Sequence, residues 1–68
     1  MAKYFLVVGP NAQAKKLRDC QSDHIELAEY EAEAVLTTIR AAGDLTSSVR
    51  VVESESRLVV YAVGRKRR

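Results

Sequence analysis

The sequence predicts an α+β domain in which one helix packs on one face of a three-stranded antiparallel sheet, in the chain order β-α-β-β. Three short runs are rich in β-branched and aromatic residues, and one stretch between the first two runs repeats apolar residues at helical spacing. A short polar turn joins the last two runs. With 68 residues, the chain is long enough for a single domain, residues 1–68, of which residues 65–68 form a basic tail.

The first strand is predicted at residues 3–8, where the run KYFLVV stops at Gly9-Pro10. The segment that follows, residues 11–20, contains good helix formers but few large apolar side chains. We therefore predict a loop there, with room for a helical turn.

A long helix is predicted from an N-cap at Ser22-Asp23 to a C-terminus near Gly43. Glu26 follows Asp23 by three residues, as in a capping box. The apolar face of this helix consists of residues spaced three and four apart, namely Ile25, Ala28, Ala32, Val35, Ile39 and Ala42, with Leu36 beside them. One alternative stays open: residues 24–27 alternate polar and apolar side chains as a half-buried strand does, so that the helix would begin later and the sheet would gain a fourth strand.

Two more strands, at residues 48–53 and 57–63, are predicted to form a hairpin across a polar turn of three residues. The last strand is apolar on both faces, with Leu58, Val60 and Ala62 on one face and Val59, Tyr61 and Val63 on the other. A strand of this kind belongs in the middle of a sheet. The predicted order is therefore 1-3-2, with strands numbered along the chain, and the helix is a right-handed crossover.

Composition excludes several classes of protein. The mean hydropathy of -0.18 and the lack of a long apolar run exclude a spanning helix, so no membrane partner is expected. One cysteine cannot form a disulfide within the chain, which favours a reducing, cytoplasmic location. A small core without disulfides often gains stability from a second copy, so a homodimer is one candidate assembly.

Cys20 and His24 lie four residues apart, beside Asp19 and Asp23. Zinc takes three or four protein ligands, and a Cys–His nucleophilic pair needs an orienting group and an oxyanion site. The sequence offers neither set. We therefore expect no metal, no cofactor and no catalytic residues, and a protein that is not an enzyme.

Charge is distributed in blocks along the chain. Residues 23–33 hold five acidic side chains and no basic one. On a helix, an anionic flank with an adjacent aromatic forms from Glu26, Glu29, Tyr30 and Glu33. The helix dipole alone can account for acids near the N-terminus, so this flank is the alternative binding face rather than the first choice.

The hairpin and the tail form the favoured binding surface. Arg50 and Arg57 can share one sheet face with Val52, Val59 and Tyr61, and the first strand adds Phe5 or Tyr4 to it. The predicted partner-binding residues are Arg50, Arg57, Tyr61, Arg65, Lys66, Arg67 and Arg68. Three occupants compete for this face: a second copy, a different protein, or a nucleic acid whose bases stack on the aromatics.

Two resemblances arise from these elements. Val49-Arg50-Val51 followed by residues 57–68 (RLVVYAVGRKRR) resembles the C-terminal hairpin of RelE-type toxins, which are ribosome-dependent mRNA ribonucleases. That resemblance implies an RNA-directed role for Arg50 and for Arg65 or Arg67. The size, the first strand, the helix and the hairpin are also similar to small phage-encoded inhibitors, including anti-CRISPR proteins. This second resemblance implies a non-enzymatic inhibitor that blocks a host nucleoprotein complex, and it is the leading hypothesis.

Overall fold

The computed structural model describes residues 2–10 and 14–64. These residues form β1 (Tyr4–Gly9), β2 (Lys15–Asp19), α1 (Ile25–Ala41), β3 (Ser48–Glu53) and β4 (Val59–Val63). The strands make one antiparallel sheet in the order β2-β1-β3-β4, and α1 packs against it. The α+β class is confirmed, whereas the three-stranded sheet and its order 1-3-2 are wrong.

The fourth strand is β2, which replaces the predicted loop. Four of its five side chains are charged and all five are exposed. It pairs with β1 through Phe5↔Asp19 and Val8↔Lys15, with a register shift between them that leaves Leu17 as an extra residue. Because this strand buries neither face, it lacks the alternation that marks a half-buried strand.

Of the two strands of the hairpin, β3 and not β4 has an inner position in the sheet. β3 pairs with β1 on one side and with β4 on the other, and its Val49, Val51 and Val52 are buried. β4 lies at the edge, where Val59 and Val60 remain about half exposed. The apolar residues of β4 are therefore no sign of a central position.

The helix is continuous through Ile25–Ala41, so the strand alternative for residues 24–27 is wrong. Ala28 and Ala32 are fully buried, which lets α1 lie close to the sheet, while Val35 and Ile39 are partly buried against the core. No helix within residues 2–10 and 14–64 is long and apolar enough to span a bilayer.

The start of the helix differs from the capping prediction. His24 occupies the N-cap position and makes no side-chain cap hydrogen bond. The Asp23 carboxylate instead accepts a hydrogen bond from the Lys3 backbone N–H at 3.2 Å, and the Ser22 hydroxyl oxygen accepts one from His24 N–H. Asp23 thus ties the helix start to the beginning of β1 rather than capping α1.

The end of the helix agrees with the prediction. Gly43 has a φ of 98° and its N–H donates to the Arg40 carbonyl, while the Asp44 N–H donates to the Ile39 carbonyl. This pair of bonds is a Schellman motif, which requires a left-handed residue where glycine stands.

Candidate binding surface

The face of the sheet opposite α1 is the candidate site. Leu6 and Val51 belong to the core beneath the helix, so their strand neighbours Phe5 and Val52, which pair with each other, point to the opposite side. We call this side the open face, since no described element covers it. Its members are Phe5, Val7, Lys16, Arg50, Val52, Arg57, Val59 and Ala62.

Two cationic side chains lie near the phenyl ring of Phe5. The Lys16 Nζ is 5.1 Å from the ring centroid, and the Arg57 guanidinium carbon is 6.0 Å from it. Contacts of this kind contribute about 0.5–1 kcal/mol at exposed sites. Asp19 and Ser54 line the same shallow depression. The fold therefore brings a partly exposed aromatic and two cations together from three separate segments.

The open face carries a positive charge overall. Lys16 forms a salt bridge with Asp19 at 2.9 Å, but both side chains are more than half exposed, so the pair is weak. Arg57 is exposed, and Arg50 is half-buried between Val7 and Ala62 in the pairing register. An anionic group that approaches the depression beside Phe5 therefore meets the two exposed cations Lys16 and Arg57 and one carboxylate, Asp19.

Arg57 has an unusual backbone. Its φ is 62°, in the left-handed region, and no other non-glycine residue in the described ranges has a positive φ. It ends the turn of the β3–β4 hairpin, where its N–H donates to the Glu53 carbonyl at 2.8 Å. Glycine and asparagine adopt this conformation more readily than arginine. The fold therefore keeps a strained residue at the place where a guanidinium reaches Phe5.

Tyr61 lies on the other side of the sheet, contrary to the prediction. It pairs with Val51, packs on the core, and its hydroxyl donates to a Glu33 carboxylate oxygen at 2.7 Å. This hydrogen bond raises the pKa of Tyr61, and burial and the charges of Glu33 and Glu29 act in the same direction. The reason for the error is a bulge, since Val60 is an extra residue between the partners of Val51 and Val52.

One member of the acidic flank of α1 makes a contact with the sheet. Glu33 accepts the hydrogen bond from the Tyr61 hydroxyl, whereas Glu26 is exposed, Glu29 is half-buried, and Tyr30 is 70% exposed. In the same acidic segment, Glu31 forms a salt bridge with Arg18 at 2.7 Å and accepts a hydrogen bond from the Gln21 N–H. No pattern in the sequence points to either contact, because both depend on the position of β2.

The remaining candidates divide into two groups. Arg65, Lys66, Arg67 and Arg68 lie outside the described residues, so their part in binding stays a prediction. Cys20 is buried, and this burial raises the pKa of its thiol to about 11, whereas His24 is exposed. Within the described ranges, no group of three or more His, Cys, Asp or Glu side chains is arranged to hold a metal ion.

Comparison with known proteins adds no relative to this description. No family model, curated protein or solved structure matches the chain. The resemblances to RelE-type toxins and to small phage inhibitors gain no support from these comparisons and stay hypotheses.

Proposed function

We propose that this chain is a small non-enzymatic binding protein whose open face occupies an anionic surface on a partner. The observation that carries the proposal is the convergence of Lys16 and Arg57 on Phe5. This contact requires that β2, which contains Lys16, and the β3–β4 turn, which contains Arg57, both lie beside β1. Of the two cationic residues, Arg57 has a strained backbone. Strained backbone conformations cluster at active sites, ligand clamps and switch regions.

The partner that we favour is a protein surface of a host nucleoprotein complex, which the chain would block as a phage-type inhibitor does. The open face places its cations beside the half-buried Val7 and the exposed Val59. Interfaces with nucleic acids are more polar and much more positively charged than interfaces between proteins, which combine an apolar centre with a polar rim. A protein surface that is acidic, or that has the charge pattern of a bound nucleic acid, fits both features.

A free single-stranded nucleic acid is the second candidate, and the Phe5 ring favours it. Aromatic side chains on a sheet, flanked by cations, are a common platform for stacked bases. Arg50, to which the resemblance to RelE-type toxins would give an RNA-directed role, also lies on the open face. The second candidate thus includes an RNA-directed toxin.

Capture from a bacterial lysate, with and without nuclease and followed by mass spectrometry, tests the favoured partner. The variant Lys16→Gln/Arg57→Gln removes both cations from Phe5, and the matched control Glu26→Gln/Glu29→Gln removes two charges from the helix. We expect wild type and control to retain subunits of one nucleoprotein complex after nuclease treatment, and the basic-face variant to lose them. Equal capture by all three proteins, or loss only in the acidic variant, contradicts the proposal.

Direct titration of the protein with a single-stranded RNA oligonucleotide and with its duplex, measured by fluorescence anisotropy, distinguishes the nucleic-acid partner from the protein partner. Binding to phosphates weakens steeply as salt rises, because each neutralised phosphate releases counterions. Tight, salt-sensitive binding that Phe5→Ala removes would establish the nucleic-acid candidate and reject the protein partner. Absence of such binding, together with nuclease-resistant capture, supports the inhibitor.

A further inference from the structure

The depression beside Phe5 already contains a carboxylate of the chain itself. Asp19 lines this depression together with Phe5, Lys16, Ser54 and Arg57. We infer that the depression receives the carboxylate of one acidic side chain of the partner protein, and that Asp19 competes with that carboxylate for Lys16. The inference rests on the proposed function, since it names the chemical group that the partner would place on the open face.

The position of Asp19 shows which group Lys16 accepts. Asp19 pairs with Phe5 between β2 and β1, so these two side chains lie on the same face of the sheet. The Asp19 Oδ1 is 2.9 Å from the Lys16 Nζ, and both side chains are more than half exposed. An ion pair of this kind is screened by water and contributes little to stability. Another carboxylate can therefore take the place of Asp19 on Lys16 at little cost.

The guanidinium of Arg57 supplies the second cation of the depression. A guanidinium can bind both oxygens of a carboxylate through two parallel hydrogen bonds. Lys16 and Arg57 together with Asp19 leave one positive formal charge among the residues that line the depression, which a single carboxylate neutralises. The Phe5 ring borders the same space and offers an apolar surface to the methylene groups of an acidic side chain.

A phosphate group suits the depression less well than a carboxylate does. Phosphate sites commonly use backbone N–H groups, at a helix N-terminus or in a loop. The two turn residues that line the depression, Ser54 and Arg57, donate their N–H groups to the carbonyls of Lys3 and Glu53. The Ser54 hydroxyl also donates within the chain. The depression therefore meets a ligand with the side-chain donors of Lys16 and Arg57, which suit a carboxylate.

Two small monoanions test this ligand chemistry. Propionate has the end of a glutamate side chain, and dimethyl phosphate has the linkage of a nucleic-acid backbone. Each is titrated into the isotope-labelled protein at constant ionic strength, and NMR signals of Phe5, Lys16 and Arg57 report binding. We expect propionate to shift these signals and dimethyl phosphate to bind at least about threefold more weakly. Equal or tighter binding of dimethyl phosphate, or no binding of propionate, overturns the inference.

The variant Asp19→Asn tests the competition, and Glu55→Gln is its matched control. Glu55 lies in the same turn as Arg57 but lines a neighbouring depression. We expect Asp19→Asn to tighten propionate binding about twofold to fivefold, which is the range of an exposed ion pair, and Glu55→Gln to leave the binding nearly unchanged. Weaker binding by Asp19→Asn, or equal tightening in both variants, overturns the inference.

A measurement on wild type decides the same point if Asp19→Asn does not fold. The NMR signal of the Asp19 carboxyl carbon should move as propionate saturates the depression, because Asp19 loses its contact with Lys16, while the corresponding signal of Glu55 should stay in place. An Asp19 signal that does not move contradicts the competition.

Failure of this inference is distinguishable from failure of the proposed function. If capture from the lysate requires Lys16 and Arg57 but propionate does not bind, the open face contacts its partner through another group and only this inference is wrong. If propionate binds but Lys16→Gln/Arg57→Gln captures as much as wild type, the proposed function is wrong and the carboxylate site stands. When both are correct, Asp19→Asn should capture more of the partner than wild type does.

Discussion

At the scale of single residues, Arg57 connects the stability of the fold to the proposed binding. Its left-handed backbone (φ 62°) closes the hairpin turn, and its guanidinium lies 6.0 Å from the Phe5 centroid. An L-residue in this conformation costs about 1–2 kcal/mol relative to the right-handed form, a cost that glycine does not incur. The residue that best suits the fold at this position is therefore different from the residue that suits the proposed anion-binding face.

Replacement of Arg57 by glycine should accordingly stabilise the fold and weaken binding. We expect Arg57→Gly to raise the free energy of unfolding by ~1 kcal/mol, measured by urea denaturation, because the backbone strain is relieved. Capture of the partner should fall in the same variant. Arg57→Ala is the control, since it keeps the strain and removes the guanidinium, and it should lose capture without gaining stability. Full binding by Arg57→Gly would show that the guanidinium is not used.

Asp44 predicts how stability depends on pH. Its carboxylate accepts hydrogen bonds from the hydroxyl and the N–H of Ser47 and from Thr46, and these bonds lower its pKa to about 2. A carboxyl whose folded pKa lies below its unfolded value of 3.8 stabilises the fold above pH 3.8, and this stabilisation is lost as the pH falls toward 2. Asp44→Asn should therefore flatten the acid limb of a stability profile recorded between about pH 5 and pH 2. Parallel acid limbs in wild type and variant would contradict this.

At the scale of elements, the end of β4 is fastened to the helix. Arg40 donates from its guanidinium to the Asp44 carbonyl at 2.8 Å and to the Gly64 carbonyl at 3.1 Å. Gly64 has a φ of 85°, and a Cβ there would lie 2.6 Å from Leu36 Cδ1. The helix and the edge strand thus meet at a point where a Cβ would fit only if the end of the Leu36 side chain moved.

Alanine substitutions at Gly43 and at Gly64 separate the energetic cost of a strained backbone from the cost of a steric clash. Gly43, with a φ of 98°, has open space where a Cβ would lie, whereas Gly64 has none. We expect Gly43→Ala to cost ~1 kcal/mol for the strained backbone alone, and Gly64→Ala to cost about 1–3 kcal/mol more because Leu36 must also move. Thermal and urea denaturation of both variants measure the difference. Equal losses of stability in the two variants would mean that the edge strand shifts without an energetic cost, which would contradict the prediction.

How much of the fold is predictable from the sequence depends on which elements bury a face. The helix and β3 are predictable because Ala28, Ala32, Val49 and Val51 face the core at regular spacing. β2 is not, because it is exposed throughout, and Lys16 is therefore unexpected beside Phe5. Tyr61 is assigned to the wrong face because a bulge shifts the alternation of β4, and a bulge depends on pairing rather than on local sequence.

At the scale of the whole molecule, acidic and basic side chains of the described residues lie on two different sides. The exposed Glu26 and the half-buried Glu29 lie on the helix, while Lys16, Arg50 and Arg57 lie on the open face of the sheet. The core between them keeps these groups apart, so the described part of the chain has a negative and a positive side. A charge distribution of this kind orients a molecule during encounter and also adds contacts after docking.

These two effects should separate in the kinetics of partner binding. Groups that contact the partner act mainly on dissociation, whereas distant charges act on association. On a surface that carries the captured partner, Lys16→Gln/Arg57→Gln should dissociate at least about tenfold faster, because directed contacts are lost. Glu26→Gln/Glu29→Gln should leave the dissociation rate unchanged and raise the association rate slightly, since repulsion between the helix side and an anionic partner is reduced. Added salt should reduce the difference in association rate between the acidic variant and wild type. It should leave the difference in dissociation rate between the basic variant and wild type largely unchanged. Faster dissociation of the acidic variant would instead place the partner on the helix side, with Tyr30 and Glu33 at the contact.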